Sequence, residues 1–461
     1  MASTYVYRDC DATADSGYTS KFTISVWLRR GNLGEQGIFM QRKTSHVSQS
    51  RIRLRFTSAN RLGMDFKDSS SNDDSSFETN AKFKDPNAWM HVVWSFDSTQ
   101  GTEANRLKVW VNGVDMRNDG GGFSSINEAS NGFGALFSSA ARSMLGITTN
   151  NSNQDAMFDG CMSHVHFTYG YTYDATTFGS TDATTGEWKI NTSPTIANYG
   201  SQGFFVLKDG NSGTDQSGQS NDMTIAGGTL TKTEDNPSNV FCTMNLLGNV
   251  HDQTFTAGNT SVQTVSGNGS HKQFFGTLGI SSGKFYWELK NHLATTSSSR
   301  IGISSENVTS ETDSLSGSGG HVGDSQESYA YVASNGYKET NDGQSSYGNS
   351  FTNGDILMVA LDMDNLKLYF GKNGTWQNSG DPTSGSTGTG AAFTVTSGLT
   401  YFPACSILGG GGESYQFNFG NGIFGQNNSV ASAGTNASGN GIFEYDVPTG
   451  YTALSTKGLN E

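Results

Sequence analysis

Short runs of alternating apolar and polar residues recur along the chain, and this period of two predicts β-strands with one buried face. Two such runs nearly repeat each other: residues 105–113 read NRLKVWVNG and residues 365–374 read NLKLYFGKNG. Each run ends at Asn-Gly, the pair that supplies the positive φ angles of a tight hairpin turn. We therefore expect a core strand followed by a hairpin at each place, in two domains of related design.

Further strand-like runs fill both halves of the chain, with no amphipathic helical run between them. The pattern predicts an antiparallel sandwich or barrel in each half. The polar stretch 231–239 contains Pro237 and is typical of a linker. We predict a first domain at 1–232, a linker at 233–245 and a second domain at 246–461, whose aromatic segment 443–454 packs against the domain. The strand-like runs lie at 22–28, 37–41, 51–56, 61–66, 89–96, 158–168, 203–208, 223–225, 284–290, 300–303, 329–332, 355–362, 401–407 and 413–419.

Composition supports a folded, all-β chain. The 461 residues suffice for about two or three domains. Apolar residues make up only 34%, and 59 residues are glycine, which alone would be compatible with disorder. Aromatic residues reach 11%, however, and disordered chains are poor in them. Aromatic strands joined by Gly, Ser and Asn turns explain both observations.

The charge of the chain argues against a nucleic-acid partner. The formal net charge is −14, whereas phosphate binding requires clustered Lys and Arg. The densest basic run, Arg51, Arg53 and Arg55, alternates with apolar residues, so we expect it to form the solvent face of a strand. The four cysteines include no Cys-x-x-Cys pair, which predicts reduced and buried thiols. No signal peptide or membrane-spanning run is found, so synthesis in a cytoplasm without membrane insertion is expected.

Several motifs resemble known families. The runs FTISVWLRRGNLGEQGIF (22–39), WMHVVW (89–94), LKVWVNG (107–113) and FDGCMSHVHF (158–167) resemble a concanavalin A-like, laminin-G-type jelly roll. SGKFYWELK (282–290), RIGIS (300–304), YAYVASNGYK (329–338) and FTNGDILMVALDMDNLKLYFGKNG (351–374) resemble a SPRY domain. Residues 178–224 and the closing EYDVPTGYTALSTKGLNE (444–461) are similar to segments of bacteriophage structural proteins.

The resemblance implies an all-β chain of two tandem concanavalin A-like jelly-roll sandwiches, laminin-G-like and then SPRY-like. It further implies a non-enzymatic virion surface protein, either a tail fibre or spike adhesin or a capsid decoration protein. The expected partners are other virion proteins and a host-surface glycan or protein. Homo-oligomerisation is left open: fibres and spikes are often trimers, but no heptad run for a coiled coil is found. Two alternatives remain: a glycan-degrading enzyme of the same fold and a purely assembly-contact protein.

Catalytic residues are not predicted. Glycan hydrolases of this fold place carboxylates at alternate positions of one strand, facing a groove. Glu311 and Asp313 have this spacing but lie in a Ser/Gly-rich stretch, and Asp362 and Asp364 precede a turn that Asp commonly caps.

For ligand binding, the candidates are Tyr337, Tyr347 and Trp376, which stand near Asn, Gly or Ser where a SPRY domain has its variable loops. The alternative is that these rings pack on their own loops. No cofactor is required. Because related jelly rolls bind calcium at a rim, Asp209, Asp215 and Asp222 are calcium candidates, with Asx-turns as the alternative.

Overall fold

The protein is described by a computed structural model that divides into two compact units, Met1–Thr231 and Lys232–Glu461. The structure describes residues 4–10, 20–43, 51–67, 75–134, 141–149, 155–208, 212–246, 253–264, 271–293, 299–310, 320–408, 412–425 and 428–460.

In its described residues, the first unit consists of short antiparallel strands and one short α-helix, α1 (Ala175–Phe178). Its strands are β1 (Tyr5–Asp9), β2 (Lys21–Arg30), β3 (Gln36–Lys43), β4 (Arg51–Phe56), β5 (Leu62–Lys67), β6 (Ser75–Thr79), β7 (Met90–Asp97), β8 (Leu107–Val111), β9 (Val114–Asp115), β10 (Phe123–Asn127), β11 (Ala141–Leu145), β12 (Ile147–Thr149), β13 (Asp155–Met157), β14 (Gly160–Tyr169), β15 (Gly179–Thr181), β16 (Trp188–Ile190), β17 (Phe204–Val206) and β18 (Thr224–Ala226).

Two sheets form the body of this unit. An eight-stranded sheet has the order β10-β6-β5-β4-β3-β11-β1-β18, and a six-stranded sheet has the order β17-β14-β2-β7-β8-β9. One core cluster joins side chains from both sheets, including Phe22 and Trp94 from one and Phe39 and Leu54 from the other, all at most 1% exposed. The burial of alternate residues between the two sheets makes this unit a β-sandwich.

The Asn-Gly hairpins are confirmed in both units. Strand β8 ends at Val111, and Asn112 and Gly113 then take φ angles of 49° and 78°. The corresponding pair in the second unit, Asn373 and Gly374, takes 48° and 81°. Both central residues of a type I′ turn need positive φ, which Asn and Gly adopt at low cost. The two similar phrases therefore encode the same local structure.

The expectation for the basic run on β4 was wrong, because its face is not in solvent. Arg51 and Arg53 are 4% and 8% exposed, and their Nε atoms lie 3.2 and 2.8 Å from the two carboxylate oxygens of Asp65 on β5. The Nε atom of Arg55 lies 3.7 Å from the same carboxylate. Alternation predicted correctly that the arginines share a face, but it does not report whether that face is covered.

The outer face of the six-stranded sheet carries a stack of rings. His91 is buried, and its ring centroid lies 4.8 Å from that of Trp27 and 6.0 Å from that of Trp188, each at an interplanar angle of 14°. Trp188 Nε1 donates to His91 Nδ1 at 3.0 Å, so Nε2 carries the proton and donates to Ser25 Oγ at 2.8 Å. Burial lowers the pKa of His91 to about 3. The segment that carries α1, β15 and β16 is thus anchored on this face through a neutral histidine.

The second unit repeats the sandwich with different strand order. Its described strands are β19 (Gln253–Thr256), β20 (Ser261–Thr264), β21 (His271–Phe275), β22 (Lys284–Leu293), β23 (Arg300–Ser305), β24 (Ser328–Val332), β25 (Tyr337–Thr340), β26 (Gly343–Ser346), β27 (Ile356–Asp362), β28 (Lys367–Lys372), β29 (Thr375–Trp376), β30 (Phe393–Thr394), β31 (Tyr401–Leu408), β32 (Ser414–Asn418) and β33 (Thr452–Ala453). One sheet has the order β19-β20-β32-β22-β27-β28-β29, with β30 paired to β28 and β33 to β22, and the other has the order β21-β31-β23-β24-β25-β26. The short helix α2 (Glu306–Ser310) follows β23.

The core of the second unit begins inside the segment that the sequence predicts as a linker. Cys242 and Met244 are fully buried in the main core, and Phe241 is 2% exposed in a second cluster beneath the C-terminal segment. Residues 241–244 therefore belong to the second unit rather than to a linker. The predicted linker extended too far because residues 231–239 are polar, whereas the apolar side chains of residues 241–244 gain free energy by burial in the core.

The C-terminal segment packs against the unit, as its aromatic residues predict. Phe443, Tyr451 and Leu454 are at most 2% exposed, and β33 pairs in parallel with β22. The segment covers the outer face of β22, where Tyr286 and Glu288 stand at alternate positions.

Glu288 is the polar anchor of this segment and is fully buried. Its two oxygens accept hydrogen bonds from the backbone N–H groups of Glu444 and Tyr445, both at 2.8 Å. Tyr286 Oη donates at 2.9 Å and Asn418 Nδ2 at 3.3 Å. All four donors are neutral. Burial raises the pKa of Glu288 to about 7 because these bonds lower it by less than desolvation raises it.

None of the four cysteines is in a disulfide; Cys10, Cys242 and Cys405 are buried, as predicted, and Cys161 is half-buried. Within the described residues, no helix has the length and apolar character needed to cross a bilayer.

Glu288 gives the second unit a specific pH dependence. The folded-state pKa lies above the ordinary 4.5, so its contribution is fully present below about pH 4.5 and is lost as pH rises through 7. Relative to Glu288→Gln, which cannot ionise, the wild-type free energy of unfolding should fall by an amount on the order of 3 kcal/mol between pH 4.5 and 8.

Urea denaturation of both proteins, with hydrogen exchange of residues 440–455, measures this difference. Exposed Glu187→Gln in the first unit is the matched control and should show no such trend. The assignment would be contradicted if the free energy of unfolding of wild type did not fall relative to that of Glu288→Gln as the pH rises.

Candidate functional site

The candidate site lies on the outer face of the six-stranded sheet of the second unit. Gln273 and Arg300 flank Ser406 in register across β21, β31 and β23. On β25, Tyr337 and Glu339 are two residues apart and share a face, because side chains alternate along a strand. The segment 320–325 lies over this face, and we refer to it as the covering loop.

The covering loop is attached to the sheet by both apolar and polar contacts. Val322 is fully buried against Phe275, Ala330 and Ala404. Its backbone N–H donates to Ser406 Oγ at 3.2 Å, and the next N–H, of Gly323, donates to Ser328 Oγ at 2.8 Å. These contacts place His321 and Asp324 at the charged part of the sheet.

A charged network results, in which Glu339 is the central group and is 2% exposed. Arg300 Nε donates to Glu339 Oε2 at 2.6 Å, and His321 Nε2 lies 3.1 Å from Glu339 Oε1. Asp342, exposed in the turn after β25, places Oδ1 3.6 Å from the same His321 nitrogen. Arg300 Nη1 also donates to His271 Nε2 at 3.2 Å. Five side chains from three strands, one turn and the covering loop thus meet.

Burial and charge shift the pKa values of this network in opposite directions. Burial would raise the pKa of Glu339, but hydrogen bonds from His321 and Arg300 outweigh it and hold the pKa at about 2. Burial, followed by the Arg300 charge, lowers the pKa of His271 to about 4. Burial raises the pKa of Asp324. Glu339 is therefore ionised at neutral pH and His271 is neutral.

Three buried polar atoms around the network have no hydrogen-bond partner among the described residues: His271 Nδ1, Gln273 Oε1 and Asp324 Oδ1. Gln273 is 5% exposed, and its Nε2 atom lies 3.5 Å from Asp324 Oδ2. Gln273 Oε1 and Asp324 Oδ1 thus both lack a donor, and the two side chains that carry them are in contact. Unsatisfied buried acceptors are uncommon in folded proteins and require an explanation.

The three predicted ligand-binding aromatics come from adjacent segments but point to different places. Gly348 N donates to Gly336 O at 2.8 Å, and Asn349 N donates to Gln377 Oε1 at 2.9 Å. The backbones approach so closely at Gly336, where φ is +70°, that a Cβ atom would lie 2.3 Å from Gly348 O. Residues 336–337, 347–349 and 376–377 are thus neighbours.

Only Tyr337 presents its ring to solvent, at 38% exposure. Tyr347 is 7% exposed, and its hydroxyl accepts from Phe370 N at 3.2 Å and donates to Gly390 O at 3.3 Å. Trp376 is half-buried and packs beside the C-terminal segment, 6.2 Å from Tyr286. Tyr347 therefore packs within the protein, which was the alternative to ligand binding stated for Tyr337, Tyr347 and Trp376. The prediction of ligand binding rests mainly on Tyr337.

The calcium candidates remain a prediction, since Asp209 lies outside the described residues. Asp215 accepts hydrogen bonds from the backbone N–H groups of Phe205, Ser217 and Asn221 at 2.8 to 2.9 Å. Asp222 Oδ1 accepts from Asp215 N at 2.7 Å. The contact of Asp215 with Ser217 N, two residues on, is that of an Asx-turn, the alternative stated for this loop, and the other contacts join Asp215 and Asp222 to more distant backbone.

The carboxylates with alternate spacing have structural partners where they are described. Asp362 accepts from Asn365 N and Nδ2, both at 2.9 Å, and lies 2.9 Å from Lys284 Nζ. Asp364 Oδ1 accepts from Gly283 N at 2.9 Å. The turn-capping interpretation is confirmed for Asp362, whereas Asp364 binds the backbone just before β22. Glu311 and Asp313 lie outside the described residues.

The charged network was missed in the sequence because its members are far apart along the chain. His271, Arg300, His321 and Glu339 are separated by about 20 to 30 residues, and none belongs to a local motif. One usable signal was present. Glu339 stands at an alternate position with Tyr337 in a strand, where an acidic side chain suggests either a wet face or a buried ion pair.

Comparison with known proteins agrees with this architecture. Residues 3–170 match the family described as the concanavalin A-like lectin/glucanases superfamily, and residues 284–422 match the SPRY domain family. The expected all-β fold of two jelly-roll sandwiches is confirmed. The chain carries an N-terminal concanavalin A-like domain and a C-terminal SPRY domain.

Solved structures with similarity to the chain include SPRY domains and a pentraxin. The SPRY domain of human HERC1 has 19% identity and a TM-score of 0.28, covering 36% of this chain and 91% of that chain. The TRIM65 PSpry domain has 14% identity and a TM-score of 0.29, covering 38% and 91%. The heptameric SAP-like pentraxin of Limulus polyphemus has 14% identity and a TM-score of 0.27, covering 37% and 71%. No curated protein matches the chain.

The ion pair between Arg300 and Glu339 should be important for the stability of the second unit. The Glu339 side chain is buried at 3% exposure and the Arg300 side chain is 12% exposed, so Arg300→Met leaves a buried carboxylate without its guanidinium partner. We expect a loss of about 3 kcal/mol in the free energy of unfolding, as for other broken buried pairs. Urea denaturation measures it.

The double variant Arg300→Met with Glu339→Met should recover part of this loss, because no buried charge then lacks its partner. Arg142→Met is the matched control: Arg142 pairs with Asp9 on the surface of the first unit, so the loss should stay below about 1 kcal/mol. If Arg300→Met and Arg142→Met lowered the free energy of unfolding equally, the pair between Arg300 and Glu339 would contribute no more to stability than a surface ion pair.

Proposed function

We propose that this chain is a non-enzymatic surface component of a bacteriophage particle that binds a host-surface glycan or protein through its SPRY domain. It acts as a tail fibre or spike adhesin, or decorates the capsid. The observation that carries the proposal is the exposed ring of Tyr337 among amide side chains on the outer sheet face. The phage assignment is supported by the resemblance of residues 178–224 and 444–461 to phage structural proteins.

The surroundings of Tyr337 suit recognition of a polar ligand with an apolar face. Asn335 Oδ1 accepts from Tyr337 N at 3.0 Å, and Asn335 Nδ2 donates to Gln344 Oε1 at 3.1 Å. Ser346 stands opposite Tyr337 on β26, whose residues are all exposed. An aromatic plane can take the apolar face of a sugar or a peptide side chain, while amides and hydroxyls take its polar groups.

Binding is favoured over hydrolysis, although the name of the matching superfamily includes both lectins and glucanases. Hydrolysis requires two carboxyl groups facing the substrate, one with a raised pKa as the acid. Glu288 has such a pKa, but it is fully buried and bonded to the backbone of Glu444 and Tyr445. Its raised pKa therefore reflects burial beneath the C-terminal segment rather than a role as a catalytic acid.

A pure assembly role is the second candidate, in which the exposed faces contact only other virion proteins. The short, fully exposed edge strand β26 favours it to some extent, since an unpaired strand edge can accept a strand from a neighbouring chain. In that case the protein contributes to the particle and not to host recognition.

A glycan array together with host-cell binding tests the proposal on the purified full chain. We expect saturable binding that Tyr337→Ala weakens about tenfold or more, which corresponds to about 1.4 kcal/mol of lost contact. Val114→Ala removes a comparably exposed apolar side chain from the first unit and should leave the affinity unchanged.

Three outcomes would contradict parts of the proposal. Release of reducing sugar from host polysaccharide would show an enzyme. Binding to phage particles without binding to host cells or glycans would show an assembly protein. Absence of the protein from the particle surface, examined by antibody labelling in electron microscopy, would remove the virion assignment.

A further inference from the structure

We infer that His321, Glu339 and Asp342 bind one divalent transition-metal cation of the zinc type at the edge of the covering loop. This inference is independent of the proposed host binding. It starts from geometry: one potential ligand atom from each of the three side chains lies within 4.8 Å of the other two.

The separations of these atoms fit a shared ion. His321 Nε2 lies 3.1 Å from Glu339 Oε1 and 3.6 Å from Asp342 Oδ1. Two ligands at about 2.0–2.1 Å from a tetrahedral zinc ion are roughly 3.3 Å apart. A cation between them therefore requires only small side-chain shifts and takes the place of the proton on His321 Nε2.

The charge of the network favours a cation. The carboxylates of Glu339, Asp342 and Asp324 all lie close to His321, and Arg300 is the guanidinium that pairs with Glu339. Counted as three carboxylate anions and one guanidinium cation, these side chains around His321 carry a formal charge of −2. A divalent ion balances this charge, whereas the existing ion pairs do not.

The unpartnered acceptors supply an independent argument. Gln273 is 95% buried, its Oε1 atom lacks a partner among the described residues, and its amide touches Asp324 of the covering loop. Asp324 Oδ1 also lacks a partner, and Asp324 Oδ2 accepts from His321 N at 3.0 Å. Water molecules held by a metal ion can donate to such oxygens.

The ligand types select the class of metal. Calcium and magnesium prefer sites built from oxygen alone, whereas one imidazole with two carboxylates suits zinc, cobalt, nickel or manganese. Three protein ligands also leave a position for water. The site is separate from Asp209, Asp215 and Asp222, the calcium candidates, which belong to the first unit.

Isothermal titration of the full, chelator-treated chain with zinc chloride tests the inference. We expect one saturable site per chain that Asp342→Ala weakens at least tenfold. Asp342 is 71% exposed, so this variant should keep the fold, which circular dichroism checks. His321→Gln should show the same loss. His292→Gln alters an exposed histidine outside the network and is the matched control, with unchanged affinity.

Cobalt substitution gives a readout of the ligands, because the visible spectrum of bound cobalt should change in Asp342→Ala and not in His292→Gln. No saturable zinc binding, or zinc binding that is equal in wild type, Asp342→Ala and His321→Gln, would overturn the inference and leave a plain ion-pair network. Binding of calcium with no binding of zinc would overturn the assigned class of metal.

Discussion

Burial of apolar side chains between two antiparallel sheets is the constraint on which each unit of this protein depends. It fixes which residues of each strand point inward, and it leaves every sheet with an outer face. In both units, chain segments outside the main sheets cover part of those outer faces. A stacked histidine, His91, lies beneath such a segment in the first unit, and Glu288 and Glu339 lie beneath the two segments in the second. Outer faces are therefore where polar groups become buried.

The two buried glutamates of the second unit show how partners decide the state of a carboxyl group. Glu288 is surrounded by neutral donors, two backbone N–H groups among them, and its pKa rises to about 7. Glu339 is comparably buried but faces the Arg300 guanidinium and His321, and its pKa falls to about 2. Desolvation raises the pKa of both groups, but only Glu339 has a guanidinium and an imidazole as partners, and these outweigh desolvation. Glu288 thus anchors the C-terminal segment, whereas Glu339 organises a charged site.

The inner faces could be predicted from the sequence, because alternation over a few residues is a local property. Leu107, Val109 and Val111 are all buried, and the Asn-Gly turns have the expected positive φ angles. The outer faces could not be predicted in this way. Arg51 and Arg53 alternate as a wet face should, yet they are buried around Asp65. Whether a polar face meets solvent depends on segments remote in sequence, and alternation carries no information about them.

In the candidate site, too, some features follow from neighbouring residues in the sequence and others depend on segments that are far away in the sequence. That Tyr337 and Glu339 share a face follows from their spacing in one strand, and that Tyr337 stays exposed agrees with its flanking Asn and Gly. The position of His321 next to Glu339, by contrast, depends on how the covering loop packs, and Val322 holds this loop against Phe275, Ala330 and Ala404. An apolar contact thus sets the position of an imidazole, and the imidazole then joins a buried carboxylate to the exposed Asp342. Because Tyr337 and Asp342 flank Glu339 on the same hairpin, a ligand on the exposed ring would meet a surface whose charge is set by the network beneath it.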